Sequence, residues 1–144
     1  MDHLDAQVRQ VYERIGLALY IIQSIERQLA ILLASECEPS TKKLTTSQYD
    51  DLLKSLFSKT LGKLVLRFRT SVELPPDFDE RIQKALETRN WLVHHYFWER
   101  VNEFQTPEGR SSMIQELDQI TDQLHALHED FDQRLVGRLQ HGSI

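Results

Sequence analysis

The segment VRQVYERIGLALYIIQSIERQLAILL, residues 8–33, decides the fold, because apolar residues recur in it at steps of three and four. Side chains at this period share one face of an α-helix. The stripe consists of Val8, Val11 or Tyr12, Ile15, Leu19, Ile22, Leu29 and Leu33. It predicts a first helix over about residues 4–35. Leu17, Ile21 and Ile31 add apolar surface on other faces, which predicts a helix that is central in a bundle or shared with a second subunit.

The remaining chain shows the same helical periodicity, interrupted by turn signals. It predicts a helix from a cap at Thr46 or Ser47 to about residue 69, with a bend near Gly62. A third helix is expected over about residues 78–104, and a last one from Ser111 or Ser112. No alternating strand pattern and no internal repeat is present. The sequence therefore predicts an all-α protein, an antiparallel bundle of four to five helices that forms a single domain over residues 1–144.

Composition fits an ordinary globular domain. The 144 residues are 40% hydrophobic and 27% charged, with only 5 Gly and 4 Pro, which argues against disorder. The single cysteine, Cys37, excludes an intramolecular disulfide. The absence of a Gly-rich phosphate loop and of Cys/His metal spacing predicts no cofactor and no metal. With no apolar signal run and no unbroken apolar stretch of spanning length, we expect a soluble cytoplasmic protein without membrane contact.

The run Arg89-Asn90-Trp91-Leu92-Val93-His94-His95-Tyr96 carries the most chemistry. On a helical wheel with Arg89 at 0°, Asn90 lies near 100°, His94 near 140° and Tyr96 near −20°. Arg89 thus points with the apolar stripe, whereas His95, near 240°, points away from it. An inward arginine either pairs with a buried acid or lines a cleft that an anion enters. The plainer alternative is an arginine that buries its stem and extends its head to water.

Glu26 is the one acid that interrupts the apolar stripe of the first helix. A carboxylate opposite Arg89 would satisfy part of its guanidinium and leave the other donors for phosphate. Glu26→Gln is therefore predicted to lower both stability and activity. If the pair is purely structural, the bundle is an interaction scaffold instead.

The segment Arg89 to Tyr96 resembles the R-x4-H-x-Y motif of HEPN-domain proteins, and the helical pattern fits their bundle over nearly the whole chain. The resemblance implies a metal-independent endoribonuclease, the toxin of a toxin–antitoxin system, whose Arg89 and His94 meet those of a second subunit in a dimer cleft. Asn90, Tyr96 and Glu26 would support this site. The family also implies a nucleotidyltransferase antitoxin that silences the toxin by adding AMP to the tyrosine, here Tyr96. Because many HEPN domains are not nucleases, a module that binds nucleotide, RNA or protein is the alternative.

The expected chemistry follows from the two side chains. An imidazole titrates near neutrality, so His94 suits acid or base work, and the guanidinium of Arg89 suits a phosphate. One copy supplies too few groups for both an acid and a base, which favours a dimer. Trp91 and Trp98, on the opposite side of the wheel, need either cover within the chain or a subunit interface.

The net charge of −5 is not that of a general nucleic-acid binder, and we expect no DNA binding. The charges are unevenly distributed, however. The segment from Leu52 to Val72 carries five basic residues and no acid, which predicts a track for an RNA backbone. These residues are Lys54, Lys59, Lys63, Arg67 and Arg69. A merely solvated charged face is the plainer reading, and the segment from Glu108 to Arg134 is rich in acids.

Overall fold

The computed structural model describes residues 5–32, 34, 44–57, 62–64, 66 and 76–141, and within these ranges the fold is all-α, without a strand. The helices are α1 (Ala6–Leu32), α2 (Thr46–Phe57), α3 (Pro76–His94), α4 (Tyr96–Glu99), α5 (Val101–Phe104) and α6 (Pro107–His141). Residues 62–64 are also helical. The helix expected over residues 78–104 is thus divided into α3, α4 and α5.

Polar side chains fix the starts of the first two helices. Asp5 Oδ1 accepts a hydrogen bond from the Gln7 backbone N–H at 2.7 Å, which satisfies one of the free donors of the first turn of α1. At α2, Thr45 Oγ1 accepts from the Gln48 N–H at 3.1 Å, and Gln48 Oε1 accepts from the Thr45 N–H at 2.9 Å. This reciprocal pair is a capping box. The cap is therefore Thr45, one residue before the expected Thr46 or Ser47.

The last helix begins earlier than the sequence predicted. α6 starts at Pro107, four residues before the expected Ser111. Thr106 Oγ1 accepts a hydrogen bond from the Gly109 N–H at 3.0 Å, and proline at the first helical position needs no N–H partner. The Thr-Pro pair is therefore the start signal of α6, and the predicted start at Ser111 or Ser112 was wrong.

The two long helices α1 and α6 run parallel to each other. Gln7 contacts Ser111, Arg14 contacts Asp118 and Gln28 contacts Asp132, and in each of these three pairs the residues are 104 positions apart. A constant offset of this kind requires two helices of the same direction. The antiparallel arrangement expected for the bundle does not hold for this pair.

The helix α3 and its continuation run antiparallel to both α1 and α6. Tyr12 near the start of α1 meets Phe97 in α4, with ring centroids 6.0 Å apart, whereas the charge of Arg89 acts on Glu26 near the other end of α1. On α6, Asp130 pairs with Arg81 and Glu116 pairs with Arg100. In both cases the chain numbers rise on one helix as they fall on the other.

The core lies mainly between α1 and α6. Buried side chains recur at seven-residue intervals on both helices, the spacing that lets parallel helices interdigitate. They are Val11, Ala18, Ile25 and Leu32 on α1, and Leu117, Leu124 and Phe131 on α6. By length and composition alone, the 27 residues of α1 are apolar enough to cross a membrane, a test that the core helix of a soluble protein also passes. Much of that apolar surface is used in this core.

Candidate functional site

Arg89 lies on α3, on the side that also forms the core. The buried residues of this helix are Phe78, Ile82, Ala85 and Leu92. Arg89 falls among them on the wheel and is half-buried, so its stem follows the core. Its Nη1 donates a hydrogen bond to Oδ1 of the exposed Asn90 at 3.2 Å. The structure thus places Arg89 and Asn90 together at the edge of the core.

Glu26 is half-buried on α1 and interacts electrostatically with Arg89. Burial raises the pKa of the Glu26 carboxyl, and the positive charge of Arg89 lowers it in part. The two residues therefore act on each other as nearby charges rather than as a tight ion pair. Glu26 also lines a cavity of about 200 Å³ with Gln23, Arg27 and Leu64.

His94 and His95 lie side by side on the surface, where α3 ends. His94 is the last residue of α3, and His95 is the turn that leads into α4, with φ −131° and ψ −22°. Both side chains are exposed, and their ring centroids are 6.2 Å apart. The helical wheel separated them by 100° because it assumed a straight helix. The bend at His95 removes that basis for excluding His95 from the site.

Tyr96 is a core residue in this structure. Its side chain is only 1% exposed, and its hydroxyl is buried without a hydrogen-bond partner of good geometry among the described residues. Burial raises its pKa first, and the neighbouring Glu116 carboxylate raises it further. Both roles expected for Tyr96, substrate contact and modification by a partner enzyme, require a hydroxyl that other molecules can reach. In this conformation it serves neither, because its ring fills the core beside Trp91.

The side chains that hold Tyr96 in place were missed by the sequence analysis. Arg100 forms two hydrogen bonds with Glu116, at 3.0 and 2.8 Å, and its guanidinium lies over the rings of Trp91 and Tyr96. Trp91 Nε1 donates to Glu99 Oε2 at 3.2 Å. Residues four positions apart on a helix are neighbours, so the sequence could have predicted the contact of Tyr96 with Arg100. The partner Glu116 lies across the α5–α6 turn and has no comparable signal.

The two tryptophans differ in their surroundings. Trp91 is covered within the chain by Tyr96 and Arg100, whereas Trp98 is 82% exposed. Three of the acids of α6 are paired, because Glu116, Asp118 and Asp130 each contact an arginine of another segment. Compositional charge in this region therefore overstates its repulsion of RNA.

Part of the basic track lies outside the described residues, namely Lys59, Arg67 and Arg69. Lys54, in the last turn of α2, and Lys63 are described, and both are exposed. No group of three or more His, Cys, Asp or Glu side chains converges as metal ligands in the part of the chain that the structure describes.

Chemically, α3 presents a fixed cation and an imidazole five residues apart. Five residues span about 7.5 Å along a helix axis, but the two side chains leave α3 about 140° apart on the wheel, so one copy of the chain does not bring them together. Comparisons with models of protein families, with curated proteins and with solved structures found no match to this chain. The side chains themselves therefore carry any functional argument.

Proposed function

We propose that this protein is a metal-independent endoribonuclease of the HEPN type, the toxin of a toxin–antitoxin pair that acts in the cytoplasm. The observation that carries the proposal is the placement of two groups on one helix. Arg89 is half-buried near the charge of Glu26, and His94 is exposed at the end of α3. A helical bundle of the kind found in HEPN proteins would position both groups from a rigid scaffold.

The catalytic roles follow from what RNA cleavage requires. Arg89 binds the scissile phosphate and stabilises the charge that develops on it. His94 removes the proton of the 2′-hydroxyl or donates one to the leaving oxygen. Asn90, which already accepts a hydrogen bond from Arg89, orients the guanidinium. Lys54 and Lys63 attract the RNA backbone at longer range.

A homodimer completes this site, because one copy of His94 cannot be both acid and base in the same step. We place the subunit interface on the face formed by Tyr12, Val93 and Phe97, here called the aromatic face. All three side chains are large, apolar and exposed, and Tyr12 contacts Phe97. The face includes the stretch of α3 between Arg89 and the turn at His95, so a two-fold contact there brings two copies of the site close together.

Regulation by a nucleotidyltransferase partner requires a change at Tyr96. AMP can be added to its hydroxyl only after the turn at His95 opens and withdraws the ring from the core, because the hydroxyl is buried in the closed form. Tyr96 is therefore a structural residue of the active toxin under this proposal.

The test is RNA cleavage by the purified protein in excess EDTA, with growth inhibition of a bacterial host as a second readout. Arg89→Ala and His94→Ala should each reduce cleavage by about 100-fold or more while leaving the helical circular dichroism unchanged. His125→Ala, which alters an exposed histidine on α6, is the matched control. RNA binding without cleavage in the wild type would favour the alternative binding module, and neither binding nor cleavage would favour a scaffold.

A further inference from the structure

The polar cavity lined by Glu26 has a composition suited to one class of ligand. Among the described residues, Gln23, Glu26 and Arg27 supply polar atoms to its wall, Leu64 also lines it, and the volume is about 200 Å³. It combines a carboxylate with an amide and a guanidinium in a space of the size of a single planar ring system. Such a cavity can enclose a base while polar groups bind its edge.

The Glu26 carboxylate is the selective element in this cavity. It accepts hydrogen bonds and, when ionised, donates none. Because Arg89 acts on it through charge rather than through a hydrogen bond, its oxygens stay open to a ligand. A ligand that fills this cavity must therefore present two adjacent N–H donors to be bound at both oxygens.

Guanine alone among the four RNA bases meets this requirement. Its N1–H and N2–H groups are adjacent donors, and the neighbouring O6 is an acceptor for the Gln23 amide or the Arg27 guanidinium. Adenine and cytosine present a ring-nitrogen acceptor beside their amino group, and uracil flanks its one N–H with two carbonyl oxygens. Each of these three edges places an acceptor against the carboxylate, which leaves polar groups unpaired.

We propose that this cavity binds the guanine base of an RNA nucleotide whose phosphate is held by Arg89, so that cleavage occurs next to guanosine. The inference rests on the proposed ribonuclease function and adds its base specificity. Glu26 then binds the N–H edge of the guanine base, and Arg89 binds the phosphate of the same nucleotide.

Mononucleotide binding tests the cavity independently of cleavage. Titration of the wild type with GMP, IMP, AMP, CMP and UMP near neutral pH should show the tightest binding for GMP. IMP lacks the N2 amino group and should bind about tenfold more weakly, since one donor is lost. Glu26→Gln should remove the preference for GMP, and Gln23→Leu should weaken GMP binding. Glu13→Gln, an exposed glutamate of the same helix, should behave like the wild type.

Mapping of cleavage sites in a single-stranded RNA with one guanosine, replaced in turn by each other base, separates the two proposals. Cleavage without a preference for guanosine would overturn the cavity assignment and leave the ribonuclease proposal standing. Guanine-selective binding that depends on Glu26, without cleavage, would support the cavity assignment and overturn the ribonuclease proposal. Equal binding of all five nucleotides, or no binding of GMP at millimolar concentration, would also overturn the assignment.

Discussion

Glu116 on α6 accepts two hydrogen bonds from Arg100, from Nε to Oε1 at 3.0 Å and from Nη2 to Oε2 at 2.8 Å. The same guanidinium lies 5.3 Å from the centroid of the Trp91 ring. Arg100 forms the turn between α4 and α5, so this pair ties the turn to the long helix α6. A planar two-point contact fixes orientation, which a single point charge does not.

Arg100→Lys should therefore lower the free energy of unfolding by about 1 to 3 kcal/mol. Lysine keeps the positive charge but cannot donate two parallel hydrogen bonds or stack as a plane. Chemical denaturation measures the change, and Arg9→Lys at an exposed position of α1 should leave the midpoint where it is in the wild type. An unaltered midpoint for Arg100→Lys would show that the pair does not hold the turn.

Tyr96→Phe should leave the free energy of unfolding unchanged or raise it by up to about 1 kcal/mol, because the buried hydroxyl lies near the Glu116 carboxylate but forms no hydrogen bond of good geometry with it. Tyr20→Phe, at an exposed position of α1, provides the baseline for a lost hydroxyl. A clear loss of stability in Tyr96→Phe alone would mean that the hydroxyl is bound after all.

The pH dependence of the same variant follows from the raised pKa of Tyr96. Since the folded-state pKa lies above the unfolded value of about 10, the contribution of the tyrosine to stability is complete below that value. It is lost as pH rises through the folded-state pKa, when the buried phenol must ionise. The wild type should therefore lose stability in alkaline solution, whereas Tyr96→Phe should not show this loss.

Periodicity predicted the existence of the long helices, but not how they pair. The apolar periodicity of both α1 and α6 is visible in the sequence. Their parallel alignment, however, depends on contacts between residues 104 positions apart, such as Arg14 with Asp118. The burial of Tyr96 was also implicit, since its wheel angle of about −20° falls between those of Leu92 and Ile82. The resemblance to the R-x4-H-x-Y motif instead predicted a functional role for Tyr96. The bend at His95 has no local cause in the sequence, and it changes which residues can share a site.

Glu26→Gln should raise the denaturation midpoint at neutral pH, the opposite of the sequence expectation. Burial, the larger effect, raises the folded-state pKa of Glu26 above its unfolded value, and the attraction of Arg89 offsets this only in part. The folded state therefore holds the proton more tightly, which favours folding below about pH 4.3 and is lost as pH rises. The charge of Glu26 opposes folding at neutral pH, and glutamine removes that cost.

The difference between wild type and Glu26→Gln should shrink as the pH falls below about 4.3, because the carboxyl then becomes protonated in the unfolded state as well as in the folded state. Glu13→Gln serves as the control, because Glu13 is exposed on the same helix. A midpoint that falls in Glu26→Gln at neutral pH would restore the tight Glu26–Arg89 pair of the sequence analysis.

Two glycines should respond to alanine in opposite directions. At Gly109, in the first turn of α6, a Cβ would overlap the backbone carbonyl of Glu103, so Gly109→Ala should cost about 1 to 3 kcal/mol. At Gly16, within α1, a Cβ would meet no atom within 4 Å. Gly16→Ala should stabilise the protein by about 0.5 to 1 kcal/mol through helix propensity. Thermal or chemical unfolding of both variants measures these changes. If both substitutions changed stability equally, α5 and α6 would not approach each other closely at Gly109.

The aromatic face predicts the behaviour of a matched pair of charge substitutions. Val93 and Leu17 are exposed to nearly the same extent, 48% and 46%. Val93 belongs to the aromatic face, whereas Leu17 lies about 140° around α1 from Tyr12, the member of that face on the same helix. Val93→Glu would place a carboxylate from each subunit in the proposed interface, and burying such charges without partners is unfavourable. Leu17→Glu adds the same charge to a surface that stays in water.

Light scattering at micromolar concentration should therefore find a dimer for the wild type and for Leu17→Glu, and a monomer for Val93→Glu. The dissociation constant of the dimer should be about 100-fold or more higher for Val93→Glu than for the wild type. RNA cleavage should fall with the dimer in that variant, although Arg89 and His94 are unchanged, because the proposed site takes groups from both subunits. A dimeric Val93→Glu would move the interface elsewhere on the molecule, whereas a monomeric wild type that cleaves RNA would show that one copy of the motif suffices.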